Sequence, residues 1–206
     1  MIAQTVYIVD DDEAVRSSLV RMVSAAGMNA VAMSSAEEFI GVCSARPAGC
    51  LVLDVRMPGM SGLELQTYLI RERITLPVIM LSGHADIPMA VEATRRGAMD
   101  FIEKPPEPSV LLDRIREALR LDLERRTAED DREVAAGIIA TLTGSQRVLL
   151  SRLVRGQSVE SVARDLSITD TQALRECDML TRQIGPNGFA VITRVLGRGE
   201  AVGGLT

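Results

Sequence analysis

The stretch at residues 50–62, reading CLVLDVRMPGMSG, constrains this chain more than any other. It opens on an apolar run, Cys50 to Leu53, and the run ends in one carboxylate, Asp54. An apolar run this short predicts a strand buried on both faces, as in a parallel sheet. A charge directly after it falls at the strand's carboxyl end, where open α/β sheets place their ligands. Pro58 and Gly59 predict a turn, and Ser61 with Glu64 has the spacing of a helix capping box. Taken alone, Asp54 is simply the first residue of a polar loop. What argues for more is that acid, hydroxyl and lysine residues recur at the ends of other strands.

The same strand–helix unit is read along the whole first half. Residues 5–9 (TVYIV) form a short β-branched strand, followed at once by Asp10, Asp11, Asp12 and Glu13. Asp12 and Glu13 are explained by the start of a helix, whose positive end favours carboxylates. Asp10 and Asp11, beside a third carboxylate from Asp54, are better explained by a hard divalent cation. Residues 29–33 read as a second strand, and Ser34 or Ser35 can cap the helix after it. Residues 77–81 read as the fourth strand, ending at Ser82, Gly83 and His84. Asp86 opens a helix that Gly97 stops. Residues 99–102 read as the fifth strand, ending in Glu103, Lys104 and Pro105, and a fifth helix starts near Pro108. His84, the sole histidine, reads as a loop residue, because a lone imidazole is a poor companion for carboxylates suited to Mg²⁺.

Five such units predict an α/β fold, a doubly wound parallel sheet with helices on both faces. In the strand order 2-1-3-4-5, strands one, three, four and five are neighbours. Asp10, Asp11, Asp54, Ser82 and Lys104 then converge on one mouth of the sheet. Lys104 stands out for another reason. Of 23 basic residues, 22 are arginine, so the single lysine marks a place where a compact ammonium is wanted and a planar guanidinium would not substitute.

The segments IVDDDEAVR, LDVRMPGMSGLEL, LSGHADIPMAVEA and GAMDFIEKP resemble a two-component receiver domain, and more narrowly the FixJ-type response regulators. The resemblance covers residues 1 to about 120. It implies a CheY-like five-stranded receiver in which Asp54 is the phospho-acceptor. It also implies that Asp10, Asp11 and Asp54 hold Mg²⁺, that Ser82 is the switch hydroxyl, and that Lys104 pairs with the phosphate. Phe101 matches the aromatic switch position. Two positions vary the pattern: Pro106 replaces the phenylalanine of the usual Lys-Pro-Phe, and Ser82 stands where threonine is also common. A sensor histidine kinase is the implied phosphodonor. Dimerisation on phosphorylation, through helix four, strand five and helix five, is the implied consequence.

Composition narrows the class further. The three cysteines, Cys43, Cys50 and Cys177, have no metal-site or disulfide spacing and suit a reducing cytosol. The first basic residue is Arg16, and no apolar run approaches membrane-spanning length, so a cytoplasmic protein with no membrane partner is expected. Charge is unevenly spread. Residues 1–136 hold 15 basic and 22 acidic side chains, while residues 137–206 hold 8 and 6. The first part is a poor nucleic-acid binder and the remainder a mildly basic one.

Residues 1–121 thus form the receiver, residues 122–137 a charged linker, and residues 138–200 a second domain. The linker lacks proline and glycine and reads as helix to at least Ala128, with a solvated coil as the alternative. In the second domain, helices are expected from Thr143, from Ser158, over residues 170–184 up to Gly185 and Pro186, and over residues 189–196. This order suits a helix-turn-helix. The pattern resembles the LuxR/NarL output domain, which implies DNA binding.

The positions that would face DNA hold Glu160, Thr171, Gln172, Leu174, Glu176 and Cys177. Arg175 and Arg182 are the candidate DNA-binding residues of the third helix, with Arg147, Arg152 and Arg155 available for phosphates. Three functions compete. The first is a phosphorylation-controlled transcription regulator. The second is a regulator whose output binds protein. The third, an Asp-nucleophile phosphatase, is disfavoured, because it wants Asp-x-Asp after strand one; the chain is therefore expected not to be an enzyme.

Overall fold

The structure is a computed structural model that describes residues 3–44, 46–83 and 87–199. His84 and Asp86, each assigned a place from sequence, lie outside the described residues. The sheet comprises β1 (Thr5–Val9), β2 (Ala30–Met33), β3 (Gly49–Asp54), β4 (Val78–Ser82) and β5 (Asp100–Glu103). All pairings are parallel, as the alternation of strands and helices predicts, and the order is β2-β1-β3-β4-β5, as the resemblance to a receiver implies. The helices of this unit are α1 (Glu13–Ala25), α2 (Ala36–Val42), α3 (Gly62–Arg71), α4 (Ile87–Arg95) and the first part of α5 (Pro108–Ala140).

Every residue of β3 is buried, which is what its unbroken apolar run requires. Successive side chains point to opposite faces of a strand, so β3 serves two cores. Leu51 and Leu53 pack with Phe39, Leu65, Leu69 and Ala93 from α2, α3 and α4. Cys50 and Val52 pack with Leu19 and Val23 of α1 and with Leu111, Ile115 and Ala118 of α5. Each fully buried Leu or Ile contributes about 1.5–3 kcal/mol relative to exposure. Aromatic residues are scarce, and among the described residues one ring pair, Tyr7 edge-on to Phe39 at 5.6 Å, sits where α2 meets β1.

The chain divides into two compact units, Met1–Glu124 and Arg125–Thr206. A solvated coil over residues 122–137 is excluded, since α5 runs unbroken through them to Ala140. Its acids are not all solvated either. Asp122 is fully buried and accepts from the Gly49 N–H at 2.9 Å. Asp131, 7% exposed, accepts from Arg194 through Nε at 3.0 Å and Nη2 at 2.7 Å.

The second unit contains the end of α5, α6 (Gly144–Val154), α7 (Val159–Asp165) and α8 (Asp170–Gly197). Their shared core is Ala135, Ile139, Leu149, Leu150, Val162, Leu180, Ile192 and Val195. Thr143, Ser158 and Thr169 cap the three helices, each accepting from a backbone N–H one turn on. Gly185 stops the first helical stretch of α8, as its sequence predicts: its φ 72° and ψ 171° are not helical, a conformation glycine adopts at no steric cost, and a second helix follows to Gly197. The second helix is favoured because Ile192 and Val195 have a core to enter. Among the described residues, no helix is long and apolar enough to cross a membrane.

Candidate functional site

The site lies at the carboxyl ends of β1, β3, β4 and β5. Asp10 follows β1 and is 1% exposed. Its Oδ1 accepts from the Asp12 N–H at 3.0 Å, and its carbonyl accepts from the Arg16 guanidinium at 2.7 Å. Asp12 itself caps α1, accepting from the N–H groups of Ala14 and Val15. With Asp12 as the cap and Glu13 in the first turn of α1, Asp10 and Asp11 of the acidic run remain for chemistry, and Asp11 is exposed. Asp54 is the last residue of β3, nearly buried, with Oδ1 3.4 Å from the Arg56 N–H.

Ser82 ends β4 and is buried; its carbonyl accepts from the Lys104 N–H at 2.7 Å, which pins the residue after β5 against β4. The Lys104 ammonium then reaches across β4 and β3. Its Nζ lies 2.9 Å from Asp54 Oδ2 and 2.6 Å from Asp10 Oδ2. Four of the five residues predicted to converge are thus tied by contacts, and Asp11 joins them: carboxylate oxygens of Asp10, Asp11 and Asp54 all lie within 4.8 Å of one another. Phe101 sits half-buried on the edge strand β5, against the core face that carries α2, α3 and α4.

Burial raises the Asp54 carboxyl above the usual carboxylate range. The Lys104 ammonium and the Arg56 N–H oppose the rise, and the neighbouring Asp10 charge adds to it. Burial pulls the Lys104 ammonium down, but the Asp10 and Asp54 carboxylates outweigh it, and the net shift is upward. One cation thus faces three carboxylates, an arrangement with unbalanced negative charge at low dielectric. An all-oxygen donor set of this kind fits a hard divalent cation. The Asp10 Oδ2 atom fits too. It is buried and meets Lys104 without an aligned hydrogen bond, so a lone pair remains for a ligand.

The candidate DNA-binding residues do not converge in this way. Arg175 is exposed on α8. Arg182 is paired with Asp178 at 2.9 Å, with both side chains largely in solvent. Arg152 is paired with Asp165, and the Nε of Arg147 is buried. Beside Arg175 and Arg182, α8 exposes Leu174 (59%) and Met179 (50%). Glu176 and Cys177 are half-buried, and burial pushes the Cys177 thiol up. Met179 is not among the residues the sequence points to, because a methionine beside core Leu180 reads as packing. Arg16 was equally hidden, since an arginine in a second helical turn reads as surface.

Residues 6–116 match the response regulator receiver domain family. The transcriptional regulatory protein FixJ of Rhizobium meliloti is 41% identical over 165 residues, covering 80% of this chain and 81% of that protein. The response regulator protein TodT of Pseudomonas putida is 34% identical over 196 residues, covering 95% of this chain and 86% of its own. Among solved structures, the response regulator StyR superposes with a TM-score of 0.77 at 32% identity, over 96% of this chain and 100% of that one. Full-length FixJ from B. japonicum superposes with a TM-score of 0.58 at 30% identity, over 96% and 98%.

Proposed function

Because the chain belongs to the response regulator family, we propose that Asp54 accepts a phosphoryl group from a sensor histidine kinase and that the helical unit conveys this state to transcription. The observation that carries the reading is Lys104 bridging Asp10 and Asp54 from the end of β5. A carboxylate oxygen of Asp54 attacks the phosphorus of a phosphohistidine. The new O–P bond forms as the P–N bond breaks, and the electron pair leaves with the imidazole. Two anions must approach for this, and the Lys104 ammonium lowers their repulsion.

Asp10, Asp11 and Asp54 would hold Mg²⁺, whose chemistry when bound is to neutralise charge on the transferred group. The aspartyl phosphate adds charge and strong acceptor oxygens at the sheet mouth. The Ser82 hydroxyl donates to it and Lys104 pairs with it. Phe101, on the adjacent edge strand, then shifts with the face of α4, β5 and α5. The chain is modified once per cycle and turns over no released substrate of its own. The compartment that fits a kinase-coupled protein with three free cysteines is the cytoplasm.

Phosphate-affinity gels on the full chain test the acceptor. Wild type should shift with a small phosphodonor when Mg²⁺ is present and should not shift without it. Asp54→Ala should not shift under either condition; equal labelling of that variant rejects the assignment.

For the output, DNA is the first reading, supported by the transcriptional regulators among the relatives, with Arg175 and Arg182 as its contacts. A protein partner is the second, favoured by exposed Leu174 and Met179 and by the pairing of Arg182 with Asp178. Capture of genomic fragments by the phosphorylated chain at low salt separates them. Fragments lost in Arg175→Ala and Arg182→Ala support DNA, with a shallow salt dependence because few phosphates are neutralised. No enrichment over a chain lacking residues 137–206 supports protein.

A further inference from the structure

The loop between Asp54 and α3 is fixed at both ends from within. The Val55 N–H donates to Leu81 O at 2.9 Å, and the Gly62 N–H donates to Val55 O at 3.0 Å. Ser61 and Glu64 form the reciprocal capping box that starts α3. The middle, residues 56–60, turns through Gly59 at φ +74° and is gripped from outside. There the Met60 N–H donates to Glu37 Oε1 at 3.1 Å, across 23 positions of sequence. Gly59 leaves room for the same carboxylate: a Cβ at position 59 would stand 3.0 Å from Glu37 Oε1.

Glu37 has a firm base. It lies in the first turn of α2, which Ser35 caps through the Glu38 N–H, and its neighbours Ala36 and Phe39 are fully buried. We infer that Glu37 is a positioning residue for the phospho-acceptor, holding the loop after Asp54 in place through the Met60 N–H.

The inference rests on the reading of Asp54 as acceptor. The loop that Glu37 holds also supplies the Arg56 N–H, which stands 3.4 Å from Asp54 Oδ1, at the far limit of a hydrogen bond. A small outward drift of residues 56–60 removes that donor. Donors placed in advance around a developing anion lower barriers, and small misplacements lose the benefit. The Glu37 carboxyl is held below its usual range by its own N–H first, then by the Met60 N–H and the Ser35 hydroxyl, so it stays an acceptor across neutral pH.

The test compares full-length wild type, Glu37→Ala, Glu37→Gln and Asp54→Ala. Initial rates of labelling by acetyl phosphate, Mg²⁺ affinity by calorimetry and melting temperature are measured on each. Glu37→Ala should label about fivefold more slowly, the factor that loss of one net hydrogen bond implies, and melt at most a few degrees lower, with the slowing present well below either melting temperature. Glu37→Gln keeps an Oε1 acceptor and should restore the rate. A wild-type rate in Glu37→Ala, slowing of Glu37→Gln to the same extent, or slowing that only tracks a lower melting temperature overturns the role of Glu37. Labelling retained in Asp54→Ala overturns the acceptor reading, and this inference with it. Labelling lost in Asp54→Ala but unchanged in Glu37→Ala overturns this inference alone.

Discussion

The main chain of Gly62 lies directly against the carbonyl of Asp54: a Cβ at position 62 would stand 2.2 Å from that oxygen. The neighbour is backbone rather than a side-chain tip that could move aside. The first residue of α3 and the last of β3 are therefore packed as tightly as a strand-to-helix return allows, and the main chain of Asp54, the proposed acceptor, inherits that rigidity. Gly62→Ala is expected to cost about 1–3 kcal/mol, as overpacking does. Urea unfolding of the full chain, followed on the transition of the sheet-containing unit, gives the value. A stability equal to wild type means that the return is looser than this contact requires.

Lys104 should govern the titration of Asp54. Burial already raises that carboxyl, and Lys104 opposes the rise. Without divalent cation, wild-type Asp54 should titrate above the usual carboxylate range, and Lys104→Met should move it higher still. A carboxyl whose folded value exceeds its unfolded one stabilises the fold when protonated. That contribution is present below the unfolded value and is lost as pH rises through the folded one. Carboxyl-carbon NMR against pH reads the shift directly; a lower value in Lys104→Met contradicts the pairing.

Asp131 carries the opposite sign. Hydrogen bonds from Arg194 hold its carboxyl below the usual range, with burial opposing and Arg198 adding to the effect. A depressed carboxyl contributes stability above its unfolded value and loses it as pH falls through the folded one, here below about pH 4. Asp131→Asn should weaken the second unit at neutral pH and approach wild type in acid. Parallel thermal melts at pH 7 and pH 3 decide it, and curves equally separated at both values exclude the mechanism.

Phosphorylation should convert monomer to dimer through α4, β5 and α5, where Val91 and Val110 are exposed apolar residues. Sedimentation with and without beryllofluoride, on wild type and Val110→Asp, measures it. A wild-type mass that does not change removes dimerisation from the mechanism. A dimer unaffected by Val110→Asp moves the interface elsewhere.

What the sequence alone determined is what neighbouring residues encode. The buried strand at β3, the capping box of Ser61 and Glu64, and the cap at Thr143 are each written within a few positions. Alternation of strands and helices then implied a parallel sheet, and in the strand order that the receiver resemblance supplies, Asp10, Asp54, Ser82 and Lys104 share one end. Even the rarity of lysine pointed to Lys104, whose Nζ does bridge two carboxylates.

Tertiary structure decided what depends on distance through space. Glu37 meets Met60 across 23 positions and Asp131 meets Arg194 across 63, and no periodicity links such pairs. The charged stretch at residues 122–137 has the composition of solvated linker and of exposed helix alike. It is helix because Leu111 and Ile115 find a core at one end of α5 and Ala135 and Ile139 find another at its far end. Gly185 has the local chemistry of a helix stop and is one, but the short helix beyond it is held by Ile192 and Val195, which are buried by packing that local propensity does not contain.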